Sequence, residues 1–234
     1  MHNEREEWKV SVDQQRIELS NCKVQKRHII ELNEELKANT GMYGVYLYES
    51  TITNEAWSLL KELLQSSTSI HSILLQKSDI GNEGAIALAE ALKVNTSIQH
   101  LDVRSSFIGN EGAIALAEAL KVNTSIQYLT LGNNIGNEGA IALAEALKVS
   151  TSIQNLNLDN NKIGNEGAIA LAEALKVNTS LQTLQLQSNN IGNEGMHAFV
   201  NALQLNTSIQ VLNHDDQSHT LLAAQHLQLQ LRHL

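Results

Sequence analysis

The chain has 234 residues and a formal net charge of −9, with 42% hydrophobic residues, only 3% aromatic residues, no proline and a single cysteine. That apolar fraction can build a core, which excludes wholesale disorder. One cysteine excludes a disulfide-stapled secreted fold and a Cys-rich zinc module, while the acidic balance argues against nucleic-acid and anionic-membrane partners.

The start, Met1-His2-Asn3-Glu4-Arg5-Glu6-Glu7, lacks the basic segment and apolar run of a secretory signal. No stretch approaches the roughly 20 apolar residues of a membrane span. A cytoplasmic location is the expectation.

In chain order, a strand followed by a helix recurs. Gln14-x-x-Ile17-x-Leu19 predicts a short strand, and Leu32 and Leu36 mark its helix. Met42-x-x-Val45-x-Leu47 follows with Leu60 and Leu64, then Ile70-x-x-Ile73-x-Leu75 with Gly84, Ala85, Leu88, Ala89 and Leu92 on one helical face. The strand pattern returns at Ile98, Ile126, Ile153 and Leu181, and weakly at Ile209, whose helix positions are Leu227 and Leu231. The segment IGNEGAIALAEALKVNTSIQ starts at Ile80 and recurs from Ile108, Ile135 and Ile163, with a looser copy from Ile191, in steps of 28, 27, 28 and 28 residues. A fixed period of this size indicates a solenoid. Residues 1–41 read as an N-terminal tail and a degenerate capping repeat, 42–208 as regular repeats, and 209–234 as a degenerate C-terminal cap, because a solenoid needs atypical ends.

Local chemistry fits this frame. Asn82 is expected to cap its own helix, with Glu83 in the first turn. Asn95 is expected to end that helix in a left-handed turn, and Gly84 to let the helix start approach the strand. The triplets at Asn95, Asn123, Asn178 and Asn206 match a glycosylation acceptor, but turn chemistry is the expected role.

The pattern L-x-x-L-x-L-x-x-N/C-x-L followed by a helix resembles the leucine-rich repeat. The period and the G-A-x-x-L-A-E-A-L helix are similar to the ribonuclease-inhibitor-like class, which NOD-like receptors and Ran GTPase-activating proteins share. The resemblance covers about residues 14–234. It implies an α/β fold: a right-handed curved solenoid of about seven 28-residue strand-helix repeats, with the parallel sheet on the concave side and the helices on the convex side. It also places Cys22 at the ninth position of its unit, the N/C position, with equivalents Ser50, Ser78, Ser106, Asn134, Asn161 and Asn189. In the family this side chain satisfies backbone groups in the turn after each strand. The Ser units are therefore expected to be less rigid than the Asn units.

The helical repeats stack Glu90, Glu118, Glu145 and Glu173 in one row and Lys93, Lys121, Lys148 and Lys176 in another, which reads as a solvated face with favourable i,i+3 pairs. Positions three, five and seven of the strands vary from unit to unit instead. They bring together Tyr46, Tyr48, Leu74, His100, Asp102, Arg104 and Tyr128 in one half, and Asn157 and Asp159 among small polar residues in the other. Tyr and Arg are the types enriched at binding hot spots, so these nine residues are the candidate protein-binding set. His214, Asp215, Asp216 and His219 cluster in sequence, but their spacing defines no metal geometry. His226 and His233 complete a His-rich tail. No cofactor fingerprint or activated nucleophile is present, so no cofactor, metal or enzymatic activity is expected. The expected function is an intracellular protein–protein interaction module. The alternatives are a GTPase-activating-type accessory protein and a microbial effector acting on a host protein. The sequence leaves the partner and the oligomeric state open.

Overall fold

The computed structural model describes residues 7–11, 15–38, 41, 44–132 and 134–214. Short strands alternate with helices along the chain. The N-terminal elements are β1 (Glu7–Ser11), β2 (Arg16–Ser20), β3 (Lys23–Val24), α1 (Lys26–Ala38), β4 (Gly44–Tyr48), β5 (Thr51–Ile52) and α2 (Asn54–Ser66). The regular units follow as β6 (Ser72–Gln76), α3 (Gly81–Leu92), β7 (His100–Asp102), α4 (Asn110–Leu120), β8 (Tyr128–Thr130) and α5 (Asn137–Leu147). The last described elements are β9 (Asn155–Asn157), α6 (Asn165–Leu175), β10 (Thr183–Gln185), α7 (Asn193–Leu203) and β11 (Val211–Asn213).

Nine strands form one sheet in the order β1-β2-β4-β6-β7-β8-β9-β10-β11. From β2 onward neighbours are parallel and in register, so Leu101, Leu129, Leu156 and Leu184 stand side by side. The expected α/β solenoid, with strands on the concave side and helices on the convex side, is the observed architecture. β1 is an addition that the repeat period gave no sign of: it runs antiparallel to β2 and covers the N-terminal edge of the sheet. The segment 215–234, including Leu227, Leu231, His226 and His233, lies outside the described residues.

One apolar layer between sheet and helices holds the units together. Leu101, Leu129 and Leu156 from the strands and Leu88, Leu116 and Leu143 from the helices are all buried. Glycine sets the helix spacing. A Cβ on Gly167 would stand 2.9 Å from Ala140 Cβ and 2.9 Å from Ile163 Cγ2. At Gly84 the close neighbour is Trp57 on α2, at 2.5 Å from such a Cβ, as well as Ile80 of its own turn. The close approach at Gly84 is therefore to the preceding helix and not, as expected, to the strand.

Two asparagine assignments change. Asn82 does not cap its own helix. Its Oδ1 accepts from the backbone N–H of Gly109 at 2.9 Å and of Gly112 at 3.1 Å, which belong to the start of the next helix. Asn110, Asn137 and Asn165 do the same for α5, α6 and α7. The glycines at those N-caps have no side chain to do it themselves. Asn95 is not in the left-handed region either. It is buried: its Oδ1 accepts from the N–H of Ser97 and Ile98, and its Nδ2 donates to Leu64 O and Ser67 O of the previous unit. Asn123, Asn178 and Asn206 repeat this arrangement. All four amides are committed to carbonyls, the turn chemistry expected of these triplets.

The left-handed backbone sits instead at the eighth position of six units, in Asn21, Glu49, Lys77, Ser105, Asn160 and Ser188. Phe107 adds another, with φ of 59°, and its side chain is 66% exposed. Next to these residues runs the turn ladder. Cys22 is buried, and its N–H donates to Ser50 Oγ at 3.4 Å. Ser106 Oγ donates to Leu75 O, and Asn161 Nδ2 to Leu131 O, Leu158 O and Asp159 O. Asn134 does not belong to this row. Its N–H donates to Ile108 O, as those of Lys162 and Asn190 donate to Ile135 O and Ile163 O, one position further on. The residue missing from the 27-residue step is lost before Asn134, and Asn134 is exposed.

Candidate functional site

The strand positions facing away from the helices form the open concave face, and parallel in-register pairing sets their rows. Tyr46 lies beside Leu74 and Leu74 beside Asp102, while His100 lies beside Tyr128. Tyr128, Asn155, Thr183 and Val211 continue one row; Thr130, Asn157, Gln185 and Asn213 continue the next. Strands in such a sheet are about 4.8 Å apart, so each row is a closely spaced series of side chains.

The face is not one continuous patch. Near the N-terminal end, Tyr46, Tyr48 and Leu74 line a hollow of about 240 Å³ together with Arg16, Glu18 and Gln76. Gly44 makes room for the Tyr46 ring, since a Cβ there would lie 3.0 Å from Tyr46 Cζ. A cation from the chain itself lies near each tyrosine, Arg16 over the Tyr46 ring and Lys77 at the hydroxyl end of Tyr48. Arg16 Cζ is 5.2 Å from the Tyr46 ring centre and Lys77 Nζ is 5.0 Å from that of Tyr48. Lys77 Nζ also donates to Tyr48 Oη at 2.6 Å and reaches Glu49 at 3.5 Å.

A second hollow of about 320 Å³ begins on the next strand, β7, and is lined by His100, Arg104, Tyr128, Thr130, Asn155, Asn157, Thr183 and Gln185. The expected single cluster therefore divides, and Tyr128 belongs with the polar half of the face. The His100 and Tyr128 rings are 5.8 Å apart and tilted by 55°. Burial pushes the His100 imidazole below its ordinary range; the Asp102 charge opposes this and the Arg104 charge adds to it.

Asp102 is not the exposed contact that its strand position suggests. It is 1% exposed and accepts from Gln76 Nε2 at 2.8 Å, from Arg104 Nη2 at 2.6 Å and from the Arg104 N–H at 3.1 Å. A buried carboxylate needs such donors, and Asp102 in turn fixes the Arg104 guanidinium, whose charge it stabilises chiefly through their hydrogen bond. The tight neighbour of Gly132 is the backbone of the next unit, since a Cβ there would stand 3.2 Å from Asp159 O. Gly44 and Ser72 are buried as well, so three of the strand positions read as exposed are not. Asn157 Nδ2 donates to Gln185 Oε1, and Asn157 Oδ1 accepts from the N–H of Asp159. Asp159 Oδ1 accepts from the N–H of Gln187. Thr130, Asn155, Thr183 and Gln185 share this hollow with the singled-out residues; their row positions were legible, but nothing in their type marked them.

Of the run His214, Asp215, Asp216 and His219, for which no metal geometry was expected, only His214 is described; the other three lie outside the described residues. Among the described residues no group of three or more His, Cys, Asp or Glu side chains could hold a metal ion, and no helix is long and apolar enough to cross a membrane. On the convex side Glu118, Glu145 and Glu173 pair with the lysines three residues on, as expected. Glu90 pairs with Lys61 of the preceding helix instead, at 2.8 Å.

Comparison with known proteins gives two family matches. The TMOD/LMOD leucine-rich domain model matches residues 132–228, and a leucine-rich repeat model matches residues 66–89 and 94–117. No curated protein matches the sequence significantly. Among solved structures, the tropomodulin C-terminal domain of Caenorhabditis elegans is 18% identical, with a TM-score of 0.50 over 76% of this chain and 92% of that one. A structure described as leiomodin-1 actin-binding site 2 is 21% identical, with a TM-score of 0.49 over 73% of this chain and 85% of that one. The strand-helix units at their fixed period, the in-register sheet and the family matches agree: the chain is a leucine-rich repeat protein.

Proposed function

We propose that this chain is a protein–protein interaction module, cytoplasmic and without catalytic activity of its own, which binds a protein partner through the open face of its sheet. One observation carries this reading. Helices α4, α5 and α6 have the same sequence, NEGAIALAEAL, while the strand residues on the open face differ in every unit. Copying has kept the packing surfaces alike, and the face that packs against nothing is the one that varies. Its composition supports the same reading, with Tyr128 and Arg104 beside a hollow lined by amide and hydroxyl side chains.

The test compares wild type with Thr183→Trp/Gln185→Arg, which fills the hollow, and with Glu145→Arg on the convex side. Actin is the first partner to try, because the matched family model is that of the TMOD/LMOD leucine-rich domain and the leiomodin-1 structure is described as an actin-binding site. Cosedimentation with filaments and capture of monomers are run beside affinity capture from cell extract. The expected result is a partner retained by wild type and by the convex variant and lost by the concave one. Equal capture by all three, with unfolding midpoints unchanged, would reject the open face as the binding surface.

A further inference from the structure

Of the residues that line the larger hollow, Arg104 carries the formal charge and none is a carboxylate. Asp102 holds one edge of its guanidinium, with Nε donating at 2.8 Å and Nη2 at 2.6 Å. Nη1 donates to no described residue. The Arg104 side chain is 51% exposed and that of Asp102 only 1%, so the negative end of the pair is inside and the positive edge is open. Asp159 is the other carboxylate that acts on Arg104. It stands outside the lining, and its Oδ1 accepts from the N–H of Gln187 at 2.7 Å. Arg104 is thus a cation held in place from below, with a free edge towards a partner.

The amides across the hollow select the same chemistry. Asn157 Oδ1 accepts from the N–H of Asp159 at 2.8 Å, and a backbone donor fixes which way that amide is turned. Its Nδ2 therefore meets Gln185, which has to present its oxygen. The Nε2 of Gln185 is left as an open donor, while the oxygens of both amides are engaged. Thr130, Asn155 and Thr183 add hydroxyl and amide donors to the same space. A basic side chain entering here meets the Arg104 charge and finds those two oxygens taken. An apolar one strips water from the donors and replaces nothing. A carboxylate only accepts, and it matches both the open donors and the sign of the charge.

We propose that the partner places an acidic side chain, aspartate or glutamate, in this hollow, with its carboxylate accepting from Arg104 Nη1 and from the hydroxyl and amide donors beside it. This rests on the reading of the open face as protein-binding and names the group it recognises. Tyr128 lines the hollow and the chain has four tyrosines, so tyrosine-selective labelling reports on the site in a simple NMR spectrum. Three capped tripeptides, Gly-Glu-Gly, Gly-Gln-Gly and Gly-Arg-Gly, are titrated into wild type at millimolar concentration. Only the glutamate peptide is expected to give a saturable shift of the Tyr128 ring signals, and the shift should weaken as salt is added. Gln185→Glu still presents an oxygen to Asn157 Nδ2 but turns the open donor into a like charge. Asp102→Asn/Arg104→Gln removes the charge pair together and leaves no buried charge behind. Each should bind the glutamate peptide about 5- to 30-fold more weakly. The wild-type titration decides between the peptides whatever the variants do to folding. The proposal is overturned if the glutamine or arginine peptide moves Tyr128 as much, if no saturable shift occurs, or if either variant binds the glutamate peptide as wild type does. A partner that is captured by wild type, lost by the concave variant and indifferent to Gln185→Glu would overturn it too, and would leave the interaction-module reading standing.

Discussion

Replacing Asn137 by Ala removes a helix cap from a helix that Asn137 does not belong to. Its Oδ1 accepts from Gly164 N–H at 2.7 Å and from Gly167 N–H at 3.2 Å, and Gly164 brings no side-chain cap to α6. Loss of an N-cap acceptor costs about 1 kcal/mol. The second amide, Gly167, belongs to a buried residue, and a donor left unpaired there costs about 1 kcal/mol more. Alanine recovers a few tenths of a kcal/mol in α5 through its helix propensity. The net expectation is a loss of about 1.5 kcal/mol, a fall of about 3–6 °C in Tm for a chain of this size. Asn137→Asp keeps the acceptor and puts a negative charge near the start of α6, which favours it, although Glu166 is close by. This variant should lie between wild type and Ala at pH 7, and approach Ala as the carboxylate is protonated. Urea and thermal unfolding by circular dichroism measure all three proteins. Wild-type stability for the Ala variant, or equal damage from Asp and Ala, would refute capping across the repeat boundary.

Phe107 holds a left-handed backbone with an exposed ring, so Phe107→Gly should gain about 1 kcal/mol in urea unfolding, and a loss would show that the ring packs better than its exposure indicates. Burial lowers the His100 pKa; the unfolded chain then binds a proton that the folded one resists, so stability falls as pH drops below about 6.5. His100→Gln should remove part of that slope, and an unchanged pH profile would count against it. In hydrogen exchange the N–H groups of Ile135 and Ile163, held by Asn161 and Asn189 side chains, should exchange more slowly than those of Cys22 and Ser50, held by serine hydroxyls. The reverse order would refute the rigidity assigned to the asparagine turns.

Most of the fold was legible because both of its periods lie on the surface of the sequence. Alternation over three residues gave each strand, the spacing of Leu88, Ala89 and Leu92 gave each helix face, and the 28-residue step joined them. What was not legible is what crosses a repeat boundary. In identical copies an asparagine near a helix start looks the same whether it caps its own helix or the next one; only distance separates Asn82 at α3 from Asn82 serving Gly109. The same holds for Asn95, whose partners lie in the previous unit. Counting nine positions failed at Asn134 because a one-residue deletion leaves no mark on which side it fell. For the open face, position identified the rows, but Asp102 shows the limit: alternation places a side chain outward, and Gln76 and Arg104 then close over it. β1 escaped notice because a strand that pairs antiparallel at an edge need not carry the repeat.

Capping across the boundary has a consequence for how such a chain changes length. Asn137 belongs to one unit and the amides it serves to the next, and Asn178 reaches back to Leu147 O and Ser150 O in the unit before. A unit is therefore incomplete at both ends, and each end fits any neighbour of its own kind. Excision or duplication of one whole period between α4 and α6 joins surfaces that already match, and every shared amide finds the partner it had before. A cut at any other spacing leaves acceptors without donors along two seams. Copy number is thus a quantity this architecture can vary in whole steps, and each step moves the hollow near Tyr128 relative to the ends by one strand.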